Sequence, residues 1–316
     1  MEGRGPYRIS FSGNSFLGVY DLGCAMCLLD HGKRLLQNVE SYWGISSGGL
    51  TAALMMSAPE CLRDYFDAIL ALSTKIHSLP QGALTPGFDF TQEVRHILEA
   101  LLKNNCHITC SNRLHVQLQE LVTTEDIPAH MRRRPQTLEE ELQPLKPPAK
   151  TDIVMVDGKA YLFGEKQVVS AYPSKHALIE VLVAAIYYPS TTTASAPMVM
   201  EKHYIDVSAL PDDTPKDAAD SRFPPTGHVI AIAPNKNAGL SRPKDNLTLG
   251  LRDVSRDNYV FKPWHMFRLG EGLYPPRRED LEKTFWDGVS DATEFLKKFE
   301  MYESGSNSYP QRSPMY

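Results

Sequence analysis

A three-layer α/β/α fold around a central, mostly parallel sheet is predicted by three observations. Strand-like and helix-like runs alternate at the start of the chain: Tyr7–Ser12, then Phe16–His31, Glu40–Gly44 and Ser47–Ala58. Such strand–helix–strand order implies parallel strands joined by helical crossovers. Two glycine-punctuated turns, one at 13–18 and one at 44–48, each close a strand-like run and open into a helical one. The chain has 316 residues, 42% of them apolar and 22% charged, which is enough for one large α/β domain with a sizeable core.

The elements follow in order. Tyr7–Ser12 alternates and is rich in β-formers. In 16–31, Leu17, Tyr20, Cys24, Cys27, Leu28 and Leu29 recur at helical spacing. Ser47–Ala58 is rich in Ala, Leu and Met and reads as a buried helix. Another helix runs from Pro59 to about His77, and an amphipathic one spans Phe90–Lys103. Leu114–Leu121 alternates as a strand. An Asp157-Gly158 turn joins Ile153–Val156 to Ala160–Phe163 as a hairpin, and Tyr161–Ala171 continues in strand-like fashion. Ser174 is positioned to cap a helix over 174–186. Tyr204–Val207 and His228–Ala233 are short strands. In 280–299, Leu281, Phe285, Val289, Ala292, Leu296 and Phe299 form one apolar stripe, a docking face for the core.

Residues 1–302 are therefore expected to form one domain. Residues 122–152, with an arginine triplet, a glutamate triplet and five prolines, read as a solvated, flexible insertion. Residues 303–316, rich in Ser, Pro and Gly, read as a disordered tail.

Composition excludes some partners. The net charge of −5 gives no reason to expect nucleic acid. The opening residues lack an apolar signal core, and no run of about 18 apolar residues exists to span a membrane. The expectation is a cytoplasmic protein whose contact with membranes or lipid droplets is peripheral, through apolar surface. Five cysteines, an odd count without a secretory signal, read as reduced thiols. Cys24 and Cys27 are spaced C-x-x-C but lie inside a helical pattern with no second pair, so core packing is the simpler reading. Cys106 and Cys110 flank a turn and read the same way. No cofactor or metal is expected.

The second glycine turn carries Gly44-Ile45-Ser46-Ser47-Gly48, the G-x-S-x-G spacing. A serine hydroxyl becomes a useful nucleophile only beside an aligned base. A sharp strand-to-helix turn would lift Ser46 clear of the sheet, and Gly44 and Gly48 would leave room for that bend. The helix that follows points its positive end at the site. The first turn, Gly13-Asn14-Ser15-Phe16-Leu17-Gly18, would offer unpaired backbone N–H groups to an oxyanion. It is not a dinucleotide fingerprint, because Ser15 occupies the second glycine position. None of the ten histidines has a local signature of a triad member. His203 and Asp206 point to opposite faces of a strand at period two. The residues alone leave the base open between Asp206 and Asp157.

At this point the sequence resembles a known family, the patatin-like phospholipases, and most closely their adipose triglyceride lipase and adiponutrin branch. "FSGNSFLGVYDLG" is similar to that branch's oxyanion segment and "YWGISSGGLTAAL" to its nucleophile elbow. The similarity continues through "SKHALIEVLVAAIYYP", "HYIDVSALPDD", "VIAIAP" and "RLGEGLYPPRREDLEKTFWDGVSDATEFLKKF". The resemblance implies a patatin-type fold and a Ser-Asp dyad without histidine. Ser46 would be the nucleophile and Asp206 the base, with an oxyanion hole at Gly13, Asn14 and Ser15. It also implies an acylglycerol or other lipid ester as substrate, cleaved by a serine ester hydrolase of the triacylglycerol lipase type or passed on by acyl transfer. Phospholipase action would use the same site. Two departures stand out. Asp206-Val207-Ser208 replaces the usual Asp-Gly-Gly or Asp-Gly-Ala, a costly change if Val207 must take a positive φ. Ser15 replaces a common glycine. These changes motivate an alternative: a catalytically impaired module that binds a lipid droplet or a protein partner.

Overall fold

The computed structural model describes residues 6–13, 15–123, 153–156, 158–189, 195–207, 228–233, 247–250 and 275–304. Its strands are β1 (Tyr7–Phe11), β2 (Val39–Ile45), β3 (Leu114–Thr123), β4 (Ile153–Val156), β5 (Lys159–Val169), β6 (Met198–Val199), β7 (Lys202–Ile205), β8 (His228–Ala233) and β9 (Leu247–Gly250). They form one mixed sheet in the order β4-β5-β3-β2-β1-β8-β9, with the β6–β7 hairpin attached to β3. The five strands from β3 to β9 in that order are mutually parallel, and the β5, β4 and β7 pairings are antiparallel. The α/β architecture expected from alternating elements is therefore the one observed.

The helices are α1 (Val19–His31), α2 (Lys33–Leu36), α3 (Ser47–Ser57), α4 (Leu62–Ser78), α5 (Phe90–Leu101), α6 (Cys106–Cys110), α7 (Lys175–Ala185) and α8 (Arg278–Lys298). Two expected helices begin with a tighter turn. Ser15–Gly18 is a 3₁₀ turn leading into α1, and Pro59–Cys61 is one leading into α4, with Pro59 at the start where its missing N–H costs nothing. Ser174 caps α7 as expected, its hydroxyl accepting from Ala177 N at 3.0 Å. The turn expected at Cys106 and Cys110 is instead the short helix α6, whose i,i+4 spacing buries both thiols together.

α1 and α8, far apart in sequence, cross backbone to backbone. A Cβ on Gly23 would run into the Phe285 carbonyl, and one on Gly288 into the Tyr20 carbonyl. The contact is then sewn by side chains. Tyr20 Oη donates to Asp291 Oδ2 at 2.7 Å, Cys24 Sγ donates to the Gly288 carbonyl at 3.2 Å, and Cys27 Sγ lies 3.3 Å from Thr293 Oγ1. Both C-x-x-C thiols are thus buried packing groups of this interface, and burial pushes the Cys24 thiol up. On the α8 stripe Leu281, Phe285, Ala292 and Leu296 are buried, while Val289 and Phe299 are half-buried against the same core. Phe285 stacks on Phe66 of α4 with ring centres 4.3 Å apart.

The described chain remains tethered at the point where a tail was expected to begin. Glu303 N donates to the His31 carbonyl, the Glu303 carbonyl lies 3.0 Å from His31 Nδ1, and Arg34 N donates to Glu303 Oε2. Anchorage therefore extends to Glu303, one residue beyond the expected domain end. The rest of the proposed tail from 305 onward lies outside the described residues, as does 124–152 of the insertion expected over 122–152; its first two residues, Val122 and Thr123, instead continue β3 in its pairing with β5.

Candidate active site

β1 and β2 are adjacent and parallel, so their C-terminal ends open on the same rim of the sheet. β1 lies between β2 on one side and β8 on the other, and in open α/β sheets such a rim is where ligands bind. β1 runs out into Gly13 and β2 into Ser46.

Ser46 sits where α3 begins, with φ 52° and ψ −137°, a region that L-residues rarely occupy. Holding a serine there costs on the order of 1–3 kcal/mol, offset by the packing around it. A serine at a helix start normally spends its hydroxyl on capping. Ser46 makes no such bond, and among the described residues no hydrogen bond engages its Oγ. The side chain is 4% exposed. The glycines around it are sterically obligatory. A Cβ on Gly44 would enter the Gly49 backbone, and one on Gly48 would enter the Phe11 carbonyl. The bend therefore closes only with glycine at both ends of the motif, as the spacing predicts.

Gly13 presses on the same turn from the other side. It has φ 65°, and a Cβ there would meet the Ile45 carbonyl and the N–H groups of Ser47 and Gly48. The segment after β1 is thus laid over the start of α3. One expectation about it is corrected. The Gly13 N–H is not free for an oxyanion: it donates to Asp21 Oδ2 at 2.9 Å. Asn14 lies outside the described residues. Ser15 is described and has φ 51°, so this serine occupies a left-handed position. The backbone N–H groups that remain candidates for the oxyanion are those of Ser15 and Gly48; the Gly49 N–H donates to the Ser46 carbonyl at 3.0 Å.

Asp206 is the residue following β7. Its position comes from the register on β3. β5 pairs with β3 along 116–123, which leaves one free edge. Along that edge β2 runs parallel to β3 and ends with Ile45 opposite Gln117. β7 runs antiparallel along the same edge and ends with Ile205 opposite Gln119. Ser46 and Asp206 are the residues that follow these two ends. Two strands from distant parts of the sequence therefore run towards each other along one edge of β3 and stop with Gln117 and Gln119 as their last partners. Asp206 is 5% exposed, and its N–H donates to the Tyr187 carbonyl at 3.0 Å. Val207 is buried and is not among the residues with positive φ. The strain foreseen for a β-branched residue at this position does not arise, and the strain sits at Ser15 instead.

The other candidates fall elsewhere. Asp157 lies outside the described residues. Its hairpin is present, with Val156 opposite Lys159 and Gly158 at φ 72°, beyond the level of Thr123 and away from Gln117 and Gln119. His203 packs its ring edge on Tyr161 and faces the Ala196 carbonyl at 3.0 Å. Among the described residues no group of three His, Cys, Asp or Glu side chains is arranged to hold a metal ion, and no helix is long and apolar enough to cross a membrane.

The sequence reading passed over Asp21. It lies in the first turn of α1, on the same buried side as Cys24 and Leu28, and is completely buried. Burial pushes its carboxyl well above the usual carboxylate range, a rise that the Gly13 bond opposes. The available signal was a carboxylate at i and i+3 from core positions of an otherwise apolar helix, a place charged residues rarely take.

A strained serine at a strand-to-helix turn, on the rim where parallel strands end, has the backbone geometry that a nucleophile elbow requires. Comparison with known proteins narrows the class. No family model matches the chain. Human patatin-like phospholipase domain-containing protein 4 is 25% identical over 300 residues, covering 94% of this chain and 98% of that protein. Rat patatin-like phospholipase domain-containing protein 2 is 24% identical over 293 residues, 92% of this chain and 51% of that protein. Mouse omega-hydroxyceramide transacylase is 24% identical over 295 residues, 93% of this chain and 41% of that protein. The chain thus spans nearly all of the first relative and about half or less of the other two. The family resemblance read from the sequence is borne out: relatives along almost the whole chain are patatin-like phospholipase domain-containing proteins.

Proposed function

We propose that this chain is a lipid acyl hydrolase or transacylase acting on acylglycerol esters through a Ser46–Asp206 dyad. The observation that supports the reading is the register on β3: β2 and β7 run towards each other along one edge and end opposite Gln117 and Gln119, the first followed by a strained, uncapped serine and the second by a buried carboxylate. The relatives named above include a phospholipase-domain protein and a transacylase, which supports ester chemistry on lipids.

In this mechanism Ser46 Oγ attacks the ester carbonyl carbon while its proton passes to Asp206. Catalytic hydrogen bonds are often long before substrate binds and shorten in the complex. The carbonyl oxygen becomes an oxyanion facing the Ser15 N–H and the start of α3, where backbone donors and the helix dipole favour negative charge. Collapse of the tetrahedral intermediate expels the alcohol, which takes the proton from Asp206 and leaves an acyl-serine. Water, or the hydroxyl of a second glyceride, then gives its proton to Asp206 and attacks the acyl carbonyl carbon; collapse of this second intermediate breaks the bond to Ser46 Oγ, which takes the proton back from Asp206. The product is a fatty acid in the first case and a new ester in the second.

The test is hydrolysis of triolein and of a short-chain ester by purified wild type, Ser46→Ala and Asp206→Asn, together with labelling by a fluorophosphonate probe. Ser46→Ala should lose both labelling and turnover. Asp206→Asn should slow turnover by about 10²–10⁴-fold, the usual contribution of a positioned base. Turnover by Ser46→Ala equal to wild type would refute the assignment. An unlabelled, inactive wild type would favour the alternative of a lipid- or partner-binding module on the same scaffold.

A further inference from the structure

Asp21 is a buried acid with one oxygen employed and one not. Oδ2 accepts from Gly13 N at 2.9 Å, eight residues back along the chain. Oδ1 is buried and has no hydrogen-bond partner among the described residues. An unpaired carboxyl in the core costs stability unless something is gained from it. The bond it makes is to the one glycine that lies against the Ile45 carbonyl and the first N–H groups of α3. From these contacts we infer that Asp21 is a positioning residue for the oxyanion segment, holding the Gly13 peptide so that the backbone following it presents its donors beside Ser46. Its role in catalysis rests on the reading of Ser46 given above; its hold on Gly13 does not.

The bond also decides which peptide groups remain available. Because Gly13 N–H is consumed from behind, the groups left to face the substrate are those of the strained turn at Ser15 and of α3. Without the bond, Gly13 could rotate, and the left-handed turn that follows would lose its fixed start. Burial pushes the Asp21 carboxyl well above the usual carboxylate range, which favours its neutral form. The neutral acid still offers a carbonyl oxygen to Gly13 while placing no negative charge near a developing oxyanion. The ionisable groups that act with it are Tyr20 and Cys24 on its own helix, both acidic types. Ionisation would put an uncompensated negative charge behind the oxyanion segment, so it should slow attack at high pH.

An amide can accept the Gly13 bond without ever ionising, whereas an aliphatic side chain cannot accept it. The test therefore pairs Asp21→Asn with Asp21→Leu and reads two properties of the full chain: hydrogen exchange of the Gly13 amide and the rate of fluorophosphonate labelling. Asp21→Leu should speed Gly13 exchange about tenfold, the size of one lost hydrogen bond to a carboxyl, and should slow labelling at unchanged folded content. Asp21→Asn should restore both and should flatten any fall in labelling at high pH. Wild-type exchange and labelling in folded Asp21→Leu would overturn the inference. So would Gly13 exchange in Asp21→Asn as fast as in Asp21→Leu; if Asp21→Leu does not fold, faster Gly13 exchange in Asp21→Asn than in wild type is decisive against it. If wild type itself is not labelled, the esterase reading fails, while the exchange measurement still decides whether Asp21 holds Gly13.

Discussion

Ser15 and Ser46 are both serines in left-handed or otherwise sparsely populated backbone, one in each of the two glycine turns. Their strain has different standing. Ser46 has its hydroxyl uncapped at the rim of the sheet, so its strain is tied to chemistry. Ser15 occupies a position whose backbone favours glycine, and a left-handed conformation costs an L-residue roughly 1–2 kcal/mol. Replacement by glycine removes that cost but loosens the unfolded chain by about 0.5–1 kcal/mol. Ser15→Gly should therefore leave stability unchanged or raise it by up to about 1 kcal/mol. Ser15→Val should lower stability by more than 1 kcal/mol, since β-branching makes positive φ harder still. Chemical denaturation of the two variants measures the difference, and a Val variant as stable as the Gly variant would show that the turn tolerates any residue. At this scale the sequence was informative about Ser46, because Gly44 abuts Gly49 within the same turn; the need for Gly48 comes from the approach of Phe11 on β1 and is not local. The burial of Asp21 had a signal in its helical position, but its partner had none, because the bond depends on Gly13 being folded back over it.

At the scale of elements, the tightest joint is the α1–α8 crossing. Gly23 and Gly288 let two helix backbones touch, and Tyr20, Cys24 and Cys27 then reach partners on α8. Gly288→Ala would drive a methyl into the Tyr20 carbonyl. The expected cost is about 1–3 kcal/mol of overpacking, seen as a lower thermal midpoint. Gly23→Ala should cost a similar amount. Because both substitutions push apart the same pair of helices, the double variant should lose less than the sum of the two. Strict additivity would mean that the two glycines do not share one contact. The apolar stripe of α8 was readable from its 3.6-residue period, but its partner was not, since periodicity says that a face is buried and not against what. The C-x-x-C pair shows the same limit. Helical context pointed to packing, and only the crossing identified Gly288 and Thr293 as the groups that the thiols meet.

At the scale of the whole molecule, Asp21 ties stability to pH. Its folded carboxyl sits well above the ordinary value of 3.8, so the native state holds a proton that the unfolded chain releases. The stabilisation linked to that proton is complete below the unfolded value. It is lost progressively as pH rises from about 4 towards the folded value. Asp21→Asn has no such dependence, so its stability relative to wild type should increase from pH 4 to pH 8. Denaturation of both proteins at pH 4, 6 and 8 checks the sign. A difference that is flat or runs the other way would mean that the carboxyl is not held neutral in the folded core.

By itself the sequence determined the alternation of strands and helices, the glycine-bounded elbow at Ser46, the capped start of α7 and the family resemblance. Each of these is written in neighbouring residues: a period, a cap, or a bend that only certain side chains permit. The tertiary structure alone decided that β2 and β7 share one edge of β3, that Val207 is unstrained, and that the Gly13 N–H is already taken by Asp21. Those facts depend on strand register and on which surfaces meet across long stretches of chain, and no local pattern encodes them.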